Sequence, residues 1–594
     1  MNKRKIYALI LAMAILTQVA APSVNVLAEE VNTKKIDEKV SLEEDNLKIN
    51  ESLQKKDEII NIPDVNLKQT LNETLNQAEN ADITREQLES ITKLAASDKN
   101  INSIEGLQYC KNLEFLQVVN GQINDISPLK DLTNLNMLDL SGNKINDIKA
   151  LKDLKNLKYL CLARNEISKI EGLEELTKLE ELRLDDNHIT KIEGLERLTN
   201  LNRLALSDNS INKIEGLEEL TNLGYLYLEK NEISSTDSLG NLSNLCLLDL
   251  SNNKISKIEG LEGLTNLEYL GLASNQISKV EGVEGLTNLK VLVLSSNQIS
   301  KIEGLEGLKS LKVLSLSSNQ ISKIEGLEGL KNLNALSLNS NQISKIEGLE
   351  GVTNLTSLQL DLNQISKIEG LEGLNNLEFL VLSSNQISKI EGLEGLKNLD
   401  SLTLNSNQIS KIEGLEGLNN LSYLHLQSNK ISNIKPLSGL TELLYFNISD
   451  QEINLSELEA NASVEIDNIL VGLNGEVIKP SEISSGGNYN SETNKIKWNN
   501  ISKDVVENYS FANDIKIGNA NGTYSGIVSQ PIKYINNSQG NTDNNSNTNS
   551  NGKSDTKNNT SYTSLPKTGV ESPLPYIAGV SLLLGSVLSI KKKK

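Results

Sequence analysis

Hydrophobic side chains recur with a period of 22 residues along most of this 594-residue chain. One period has the form Leu-x-x-Leu-x-Leu-x-x-Asn-x-Ile, as in Leu289, Leu292, Leu294, Asn297 and Ile299. The asparagine recurs in register in fourteen consecutive periods, from Asn143 to Asn429. This spacing fits neither a long amphipathic helix, whose apolar positions repeat about every 3.6 residues, nor a single strand, whose apolar positions alternate.

Three degenerate periods extend the frame, so that seventeen periods cover residues 91–453. They start at Ile91, at Leu113, where Gly121 replaces the asparagine, and at Leu443, where Gln451 replaces it. A unit of this length cannot bury its own apolar side chains, so consecutive units must stack, with atypical units at both ends. The pattern is typical of the leucine-rich repeat, and we predict an α/β solenoid in the form of a horseshoe.

Within one unit, the segment around the second and third leucines is predicted to be a short strand. Leu292 and Leu294 would point into the core, whereas Val291, Val293 and Ser295 would alternate outward. Stacked parallel strands would then line a concave face. The asparagine follows the strand at the turn that leaves the sheet, where its amide can satisfy backbone groups that the bend frees. We therefore predict a structural role for this asparagine.

The outer limb of many units repeats Ser-Lys-Ile-Glu-Gly-Leu-Glu-Gly-Leu, as in residues 300–308. The paired glycines permit a tight backbone, which we expect to form a single helical turn. Two glutamates accompany each lysine, and this limb contributes much of the formal net charge of -20. We interpret it as a solvated convex face. The excess of acidic side chains disfavours nucleic-acid binding, which needs a clustered basic surface.

Residues 61–90 precede the repeats and predict a helical cap. Asp64 stands at the start of an apolar pattern with helical spacing, and Thr84, followed three residues later by Gln87, is typical of a capping box. Residues 29–60 are highly charged, and we expect them to be loosely ordered.

The repeat ends at residue 453, and a different pattern follows. Residues 454–535 contain short alternating apolar runs separated by turn clusters, which predict an Ig-like all-β domain with Trp498 in its core. Residues 536–564 are rich in Asn and Ser and predict a disordered tether.

The N-terminus has the layout of a secretory signal peptide. Lys3, Arg4 and Lys5 precede an apolar run over residues 6–15, and Val26-Leu27-Ala28 precedes Glu29. We predict that residues 1–28 are a signal peptide and that cleavage follows Ala28.

Residues 565–594 resemble a Gram-positive cell-wall sorting signal. They consist of the LPxTG-type motif, an apolar stretch over residues 577–590 and a lysine stop, the motif being Leu565, Pro566, Lys567, Thr568 and Gly569. The resemblance implies that a sortase cuts between Thr568 and Gly569 and joins Thr568 to peptidoglycan. The alternative is a plain transmembrane anchor, but this stretch is short for a bilayer span of about 20 residues.

The order of these segments resembles the internalin family of bacterial surface proteins. The resemblance includes Asn61-Ile62-Pro63-Asp64 in the helical cap, the 22-residue repeats, and a β domain that ends near Tyr524-Ser525-Gly526. It implies a protein on the surface of a Gram-positive cell wall whose concave face binds a host protein in adhesion or invasion. The outer limb departs from the family pattern Ile-Ser-Asp-Ile-Ser-Pro-Leu, which is approached only at residues 123–129.

Aromatic and charged side chains at outward strand positions are the candidate ligand contacts. Eight of the eighteen Phe and Tyr residues fall at such positions. The candidates are Phe115, Tyr159, Glu181, Arg183, Arg203, Tyr225, Tyr227, Glu229, Asp249, Tyr269, Phe379, Tyr423, His425 and Tyr445. Exposed Tyr and Arg on a rigid sheet are typical binding hot spots. The alternative is that the rings pack along the sheet against neighbouring side chains.

These candidates are distributed unevenly along the repeats. Residues 179–250 mix Arg, Tyr and acidic side chains, so we predict the main contact patch there. Tyr423, His425 and Tyr445 form a second candidate patch. Residues 289–360 offer mainly Val, Ser, Ala and Asn at the same positions and are interpreted as a spacer.

No pattern in the sequence indicates catalysis, a metal site or a cofactor. His188 and His425, the only histidines, lie far apart, and neither belongs to a triad or metal-ligand pattern. Cys110, Cys161 and Cys246 are odd in number and occupy unrelated positions, which disfavours a disulfide framework. We therefore predict a non-enzymatic surface protein that binds a protein of a host or neighbouring cell. The alternative is a structural spacer or wall-coat protein without a dedicated ligand.

Overall fold

The computed structural model describes residues 57–536, which fold as two units. The first unit contains residues 57–365 and 369–377, and the second contains residues 366–368 and 378–536. The predicted signal peptide, the charged segment up to residue 56, the tether from residue 537 and the sorting signal lie outside the described residues.

The first unit begins with two helices, α1 (Val65–Thr74) and α2 (Arg85–Glu89). Asp64 precedes α1, and its Oδ1 accepts a hydrogen bond from the Leu67 backbone N–H at 2.9 Å. Its Oδ2 accepts a second hydrogen bond from the Asn102 backbone N–H at 2.7 Å. A single carboxylate therefore both starts the helix and links it to the first repeat.

The predicted capping box is present at the start of α2. The Thr84 N–H donates to Gln87 Oε1 at 2.8 Å, and the Gln87 N–H donates to Thr84 Oγ1 at 3.3 Å. Leu67, Leu71 and Leu88 are completely buried, so both helices contribute to the core of the first unit.

The repeats of the first unit each contribute one short strand, and successive strands are offset by 22 residues. The strands are β1 (Lys93–Ser97), β2 (Phe115–Val119), β3 (Met137–Asp139), β4 (Tyr159–Cys161), β5 (Glu181–Arg183), β6 (Arg203–Ala205), β7 (Tyr225–Tyr227), β8 (Leu247–Asp249), β9 (Tyr269–Gly271), β10 (Val291–Val293), β11 (Val313–Ser315), β12 (Ala335–Ser337) and β13 (Ser357–Gln359). Each pairs in parallel with the next, with equivalent leucines side by side, as for Leu292 and Leu314. Because these leucines are fully buried, the predicted solenoid of leucine-rich repeats is confirmed.

The asparagine of each repeat forms hydrogen bonds with backbone groups of its own repeat and of the preceding repeat. Asn297 Nδ2 donates to the carbonyls of Leu272 at 2.9 Å and Leu294 at 3.1 Å. Its Oδ1 accepts from the Ile277 backbone N–H at 2.9 Å. Since equivalent bonds recur from unit to unit, the predicted structural role of the asparagine is confirmed.

A second asparagine series, which sequence reasoning missed, runs along the outside of the repeats. Asn288 Nδ2 donates to the Thr265 carbonyl at 2.8 Å, and Asn332 Nδ2 donates to the Lys309 carbonyl at 2.8 Å. These asparagines are exposed. The signal in the sequence was the Asn-Leu pair that precedes most strands at a fixed position.

The outer limbs differ from the expectation of a helical turn. Segment 300–308 contains turns and bends but neither a helix nor a strand. Gly304 has a φ of +76°, and a Cβ at this position would clash with the Val280 carbonyl oxygen of the preceding unit. The glycines therefore allow close stacking of extended limbs. The 3-10 turns occur instead where the glycine pair is absent, at Leu107–Tyr109, Ser127–Leu129, Lys149–Leu151 and Asp237–Leu239.

The second unit contains four further repeat strands, which pair in parallel. They are β14 (Phe379–Val381), β15 (Ser401–Thr403), β16 (Tyr423–His425) and β17 (Tyr445–Asn454), with a 3-10 turn at Lys435–Gly439. Gln451 takes the place of the asparagine. Its Nε2 donates to the Leu426 carbonyl at 3.0 Å, and its Oε1 accepts from the Ile431 N–H at 3.0 Å. The longer amide thus preserves the bonding pattern.

The remainder of the second unit is built of strands. They are β18 (Leu458–Ala460), β19 (Ser463–Asp467), β20 (Glu482–Ile483), β21 (Asn488–Asn490), β22 (Lys495–Asn499), β23 (Val505–Ile517) and β24 (Ala520–Tyr534). Strands β19, β22 and β21 form one antiparallel sheet. Strands β23 and β24 form a long antiparallel hairpin, and β24 also pairs in parallel with β17 and β18.

The core of this region is aromatic. Trp498 is completely buried, as predicted, and its Nε1 donates to the Ser484 carbonyl at 3.2 Å. The rings of Phe511 and Tyr524 lie 4.7 Å apart, and the Tyr524 hydroxyl donates to the Ile431 carbonyl at 2.9 Å. This bond fastens β24 to the last repeats of the second unit. Neither helix within residues 57–536 has the length and apolar character that a membrane crossing requires.

Candidate ligand-binding face

The outward positions of β4 to β7 form two adjacent rows of candidate side chains. In one row, parallel pairing places Tyr159 beside Glu181, and Arg203 between Glu181 and Tyr225. Arg183 and Tyr227 occupy the second row, with Ala205 between them. We call Glu181, Arg183, Arg203, Tyr225 and Tyr227 the arginine–tyrosine patch. All five side chains are half-buried.

Arg203 is held on three sides. Its Cζ lies 4.4 Å from the ring centroid of Tyr225 and 5.6 Å from that of Tyr227. Its Nη1 donates to the Tyr227 hydroxyl at 2.9 Å, and its Nε lies 3.8 Å from Glu181 Oε2. Stacking, hydrogen bonding and ion pairing therefore restrict the rotamers of the guanidinium and of both rings. The rings pack along the sheet against Arg203, as the packing alternative predicts, and they remain partly accessible.

Beside this patch lies a groove of about 510 Å³, which we call the acidic groove. Its charged lining consists of Asp139, Asp185, Asp186, Asp208, Glu229, Arg164, Arg183 and Lys230. Burial raises the pKa values of Asp185 and Glu229 above their ordinary range, although Arg183 opposes the rise at Asp185. The candidate set did not include Asp186 or Asp208, whose regular 22-residue spacing on adjacent units was the available signal.

Cys161 and Tyr159 form the floor of the groove at β4. Cys161 is only 4% exposed, and burial raises the pKa of its thiol to about 11. Burial also raises the pKa of Tyr159. Both side chains therefore stay neutral near pH 7. All three cysteines of the chain are free thiols.

The remaining first-unit candidates flank this cluster. Phe115 on β2 is separated from Tyr159 by β3. Asp249 on β8 pairs directly with Tyr227 of the patch, and Tyr269 lies on the next strand, β9. All are half-buried. Asp249 Oδ1 accepts from the Ser251 backbone N–H at 3.0 Å, so its carboxylate already has a partner within its own turn.

Outward side chains of the segment interpreted as a spacer are buried against one another. Ser315 and Ser337, on β11 and β12, are 2% and 1% exposed. The hydroxyl oxygens of Ser295 and Ser315 lie 2.6 Å apart, and Ser337 Oγ donates to Gln359 Oε1 at 2.9 Å. Small side chains on closely spaced strands leave no space for water and satisfy each other. This polar ladder presents few free groups to a ligand.

The second candidate patch lies on β16 and β17 of the second unit. Tyr423 and Tyr445 are neighbours in the sheet, and the ring centroids of His425 and Tyr445 lie 5.1 Å apart. Tyr445 is 44% exposed. Burial lowers the pKa of His425, so the imidazole is neutral near pH 7. Phe379, on β14, is separated from Tyr423 by β15.

Within residues 57–536, the acidic side chains do not converge into a set that could hold a metal ion. The arginine–tyrosine patch presents aromatic, guanidinium and carboxylate groups, whereas the second patch presents two tyrosines and a histidine.

Two protein-family descriptions match the chain. The family of leucine-rich repeats, described as two copies, matches residues 133–175, 155–197, 177–219, 243–286, 287–329, 331–373 and 375–417. The family described as leucine-rich-repeat adjacent matches residues 475–533.

Three solved structures show the same fold. An internalin, InlF, from Listeria monocytogenes is 36% identical, with a TM-score of 0.51, over 54% of this chain and 95% of that chain. The functional domain of InlJ from Listeria monocytogenes is 23% identical, with a TM-score of 0.60, over 79% and 97%. A leucine-rich-repeat protein from Leptospira interrogans is 27% identical, with a TM-score of 0.50, over 55% and 93%.

Proposed function

Because the chain belongs to the leucine-rich-repeat proteins of the internalin family, we propose that it binds a protein of a host or neighbouring cell through the arginine–tyrosine patch. The observation that carries the proposal is the fixed geometry of Arg203 between Glu181, Tyr225 and Tyr227. Tyr and Arg dominate protein-binding hot spots, and side chains already held in place lose little entropy on binding. The protein acts as a binding protein and not as an enzyme.

The test is capture of a partner by the immobilised full-length protein from an extract of mammalian cell-surface proteins. A Tyr225→Ala, Tyr227→Ala variant should lose the partner, because both ring contacts and the anchor of Arg203 are removed. A Tyr423→Ala, Tyr445→Ala variant is the matched control, since it removes two tyrosines from the second patch. Thermal unfolding of each variant verifies that the fold is intact.

The outcomes separate the two functions. Loss of the partner by the first variant alone supports the proposal. Loss by the control alone places the site on β16 and β17. The absence of any saturable partner favours the second candidate, a structural spacer or wall-coat protein. The polar ladder of β10 to β13 favours that candidate, because its groups bond to each other.

We also propose that this protein is exported and anchored to the cell wall of a Gram-positive bacterium. The support is the signal-peptide layout of residues 1–28 and the sorting motif from Leu565 to Gly569. A sortase would join Thr568 to peptidoglycan. In a cell-fractionation experiment, Thr568→Ala should remove the protein from the muramidase-released wall fraction, whereas Thr563→Ala, just outside the motif, should leave it there.

The two flanks of the repeats complete the proposal. We propose that α1 and α2 cap the apolar end of the first unit, supported by the bond from Asn102 to Asp64. We propose likewise that the strands after β17 form an Ig-like domain that covers the last repeats, supported by the leucine-rich-repeat-adjacent match over residues 475–533.

A further inference from the structure

The last part of strand β23 is an edge of its sheet in the second unit. Along its whole length, β23 pairs with β24 on one side. On the other side, β20 pairs with it only at Tyr509 and Ser510. Within the described part of the chain, residues 511–517 pair with no strand on that side. An edge of this kind presents backbone N–H and C=O groups with which the strand of another chain can pair.

The free backbone groups belong to every second residue. In an antiparallel pair, alternate residues direct their N–H and C=O groups away from the neighbouring strand. The Ser510 carbonyl accepts from the Ser481 N–H at 2.8 Å. The Asn508 N–H donates to Ser484 Oγ at 2.8 Å. Both bonds point away from β24, and the register with β24 is unbroken, so the even-numbered residues of segment 512–516 also direct their backbone groups outward.

Two of these even-numbered residues carry opposite charges. Asp514 and Lys516 are exposed, and because they stand two positions apart they lie on the same face of the hairpin. Asp514 Oδ1 accepts from Thr523 Oγ1 at 3.2 Å. Within residues 57–536, neither charge forms an ion pair. Since charges on an edge strand oppose pairing with most strands, their order decides which strand can be added.

From the free edge and the order of its charges, we propose that β23 pairs with β23 of a second copy of this chain, antiparallel and about a twofold axis at Ile515. Asp514 then lies opposite Lys516 of the second copy, and the twofold axis repeats this pair. Both residues direct their backbone groups outward, so each pair exchanges its N–H and C=O hydrogen bonds across the interface. Opposite charges that face each other across two strands stabilise the pairing.

Other positions of the axis are unfavourable. An axis at Asp514 or at Lys516 would place two like charges directly opposite each other. An axis between two residues would set outward-directed backbone groups opposite inward-directed ones, and the hydrogen bonds would be lost. An axis nearer the start of β23 would bring the second copy onto the edge at Ser510, which β20 already occupies. With the axis at Ile515, the turn at Gly518 of the second copy lies opposite residue 512, before β20 is reached.

The first test is the association of the full-length protein, measured by sedimentation equilibrium over a dilution series. Asp514→Lys turns both opposite-charge pairs into like-charge pairs and should raise the dissociation constant of the dimer at least about tenfold. The double variant Asp514→Lys, Lys516→Asp exchanges the charges and should restore the dissociation constant to within about threefold. Glu457→Lys is the matched control, because it makes the same change of net charge at an exposed residue outside β23. It should associate as the natural protein does.

The second test locates the axis by disulfide cross-linking. In the proposed pairing, residue 515 faces its own copy in a pair without hydrogen bonds, in which the Cα atoms lie about 4.5 Å apart. A disulfide spans this distance, so oxidation of Ile515→Cys should yield a cross-linked dimer. Ala512→Cys is the control, since its two copies would lie about 20 Å apart along the paired strands. The natural protein, whose Cys246 is partly exposed, gives the background.

The inference is overturned if the natural protein is a monomer at every concentration, or if Asp514→Lys associates as the Glu457→Lys control does. Failure of the exchanged charges to restore association would also overturn it, as would equal cross-linking of the Ile515→Cys and Ala512→Cys variants. Thermal unfolding verifies that each variant is folded. None of these results changes the proposed function, because the arginine–tyrosine patch belongs to the first unit.

Discussion

One asparagine side chain per repeat forms hydrogen bonds with several backbone groups at once. Asn319 is buried, and its Nδ2 donates to the carbonyls of Leu294 at 3.0 Å and Leu316 at 3.1 Å. Its Oδ1 accepts from the Ile299 N–H at 2.9 Å. The side chain thus serves groups of two successive units, and no apolar residue can do so.

Asn319→Ala should lower the free energy of unfolding by about 2–4 kcal/mol, because buried backbone groups lose their partners. Urea unfolding measures the loss, and amide hydrogen exchange at Ile299 locates it. The control is Asn332→Ala, which removes one exposed bond to the Lys309 carbonyl and should cost less than about 1 kcal/mol. Equal losses in the two variants would contradict the buried asparagine's special role.

Asp361 allows a test of buried charge. Burial raises its pKa in the folded protein. At a pH above this raised pKa the carboxyl is charged, and its burial then lowers the free energy of unfolding. The cost disappears at low pH, where the carboxyl is protonated in both the folded and the unfolded protein. Asp361→Asn should therefore stabilise the protein at pH 7, by on the order of 0.5 kcal/mol, and have no effect near pH 3. Thermal unfolding at both pH values measures this, with Asp153→Asn as the exposed control.

At the scale of the element, the preceding and following repeats limit the size of the side chains that a segment can carry. In the second repeat, Gly121 stands where later repeats have the buried asparagine. A Cβ at this position would lie 2.5 Å from the Ile101 carbonyl oxygen and 2.8 Å from Asn143 Oδ1. The side chain of Asn143 thus occupies the space beside it. This glycine is required by packing and not by backbone conformation.

Gly121→Ala should destabilise the first unit by about 1–3 kcal/mol, because the carbonyl of Ile101 must move. Gly439 is the matched control in the second unit: it has no heavy atom within 4 Å of a built Cβ, and its φ is not positive. Gly439→Ala should leave stability unchanged or raise it by up to about 1 kcal/mol. Thermal unfolding that showed the reverse order would contradict the packing account.

The regular elements were predictable because a strict period fixes which side chains share a face. The strand around Leu292 and the bonding role of Asn297 follow directly from it. Burial of Ser315 was not predictable in this way, because it depends on the size of side chains in adjacent units. The stacking of Arg203 on Tyr225 is a choice among rotamers, which spacing leaves open. The same applies to Gly304, where close contact with the preceding limb replaced the expected helical turn.

At the scale of the whole molecule, strict register makes repeats removable in whole numbers. Deleting residues 311–354 removes β11 and β12 with their limbs and restores the frame at the next repeat. We expect this variant to fold and to capture the partner normally, because the polar ladder contributes no patch residue. Deleting residues 201–244, an equal length, removes Arg203, Tyr225 and Tyr227 and should abolish capture. Affinity measurements on both variants decide whether the segment is a spacer.

The asparagine hydrogen bonds between successive repeats have a mechanical consequence. When the chain is pulled from its two ends, a terminal repeat can detach only when the bonds to its neighbour break together, and each interior repeat meets the same resistance in turn. Release of one 22-residue unit lengthens the chain by about 7 nm. Single-molecule stretching should therefore show a series of evenly spaced force peaks. Under load, a solenoid built in this way lengthens one repeat at a time while the remaining repeats stay folded.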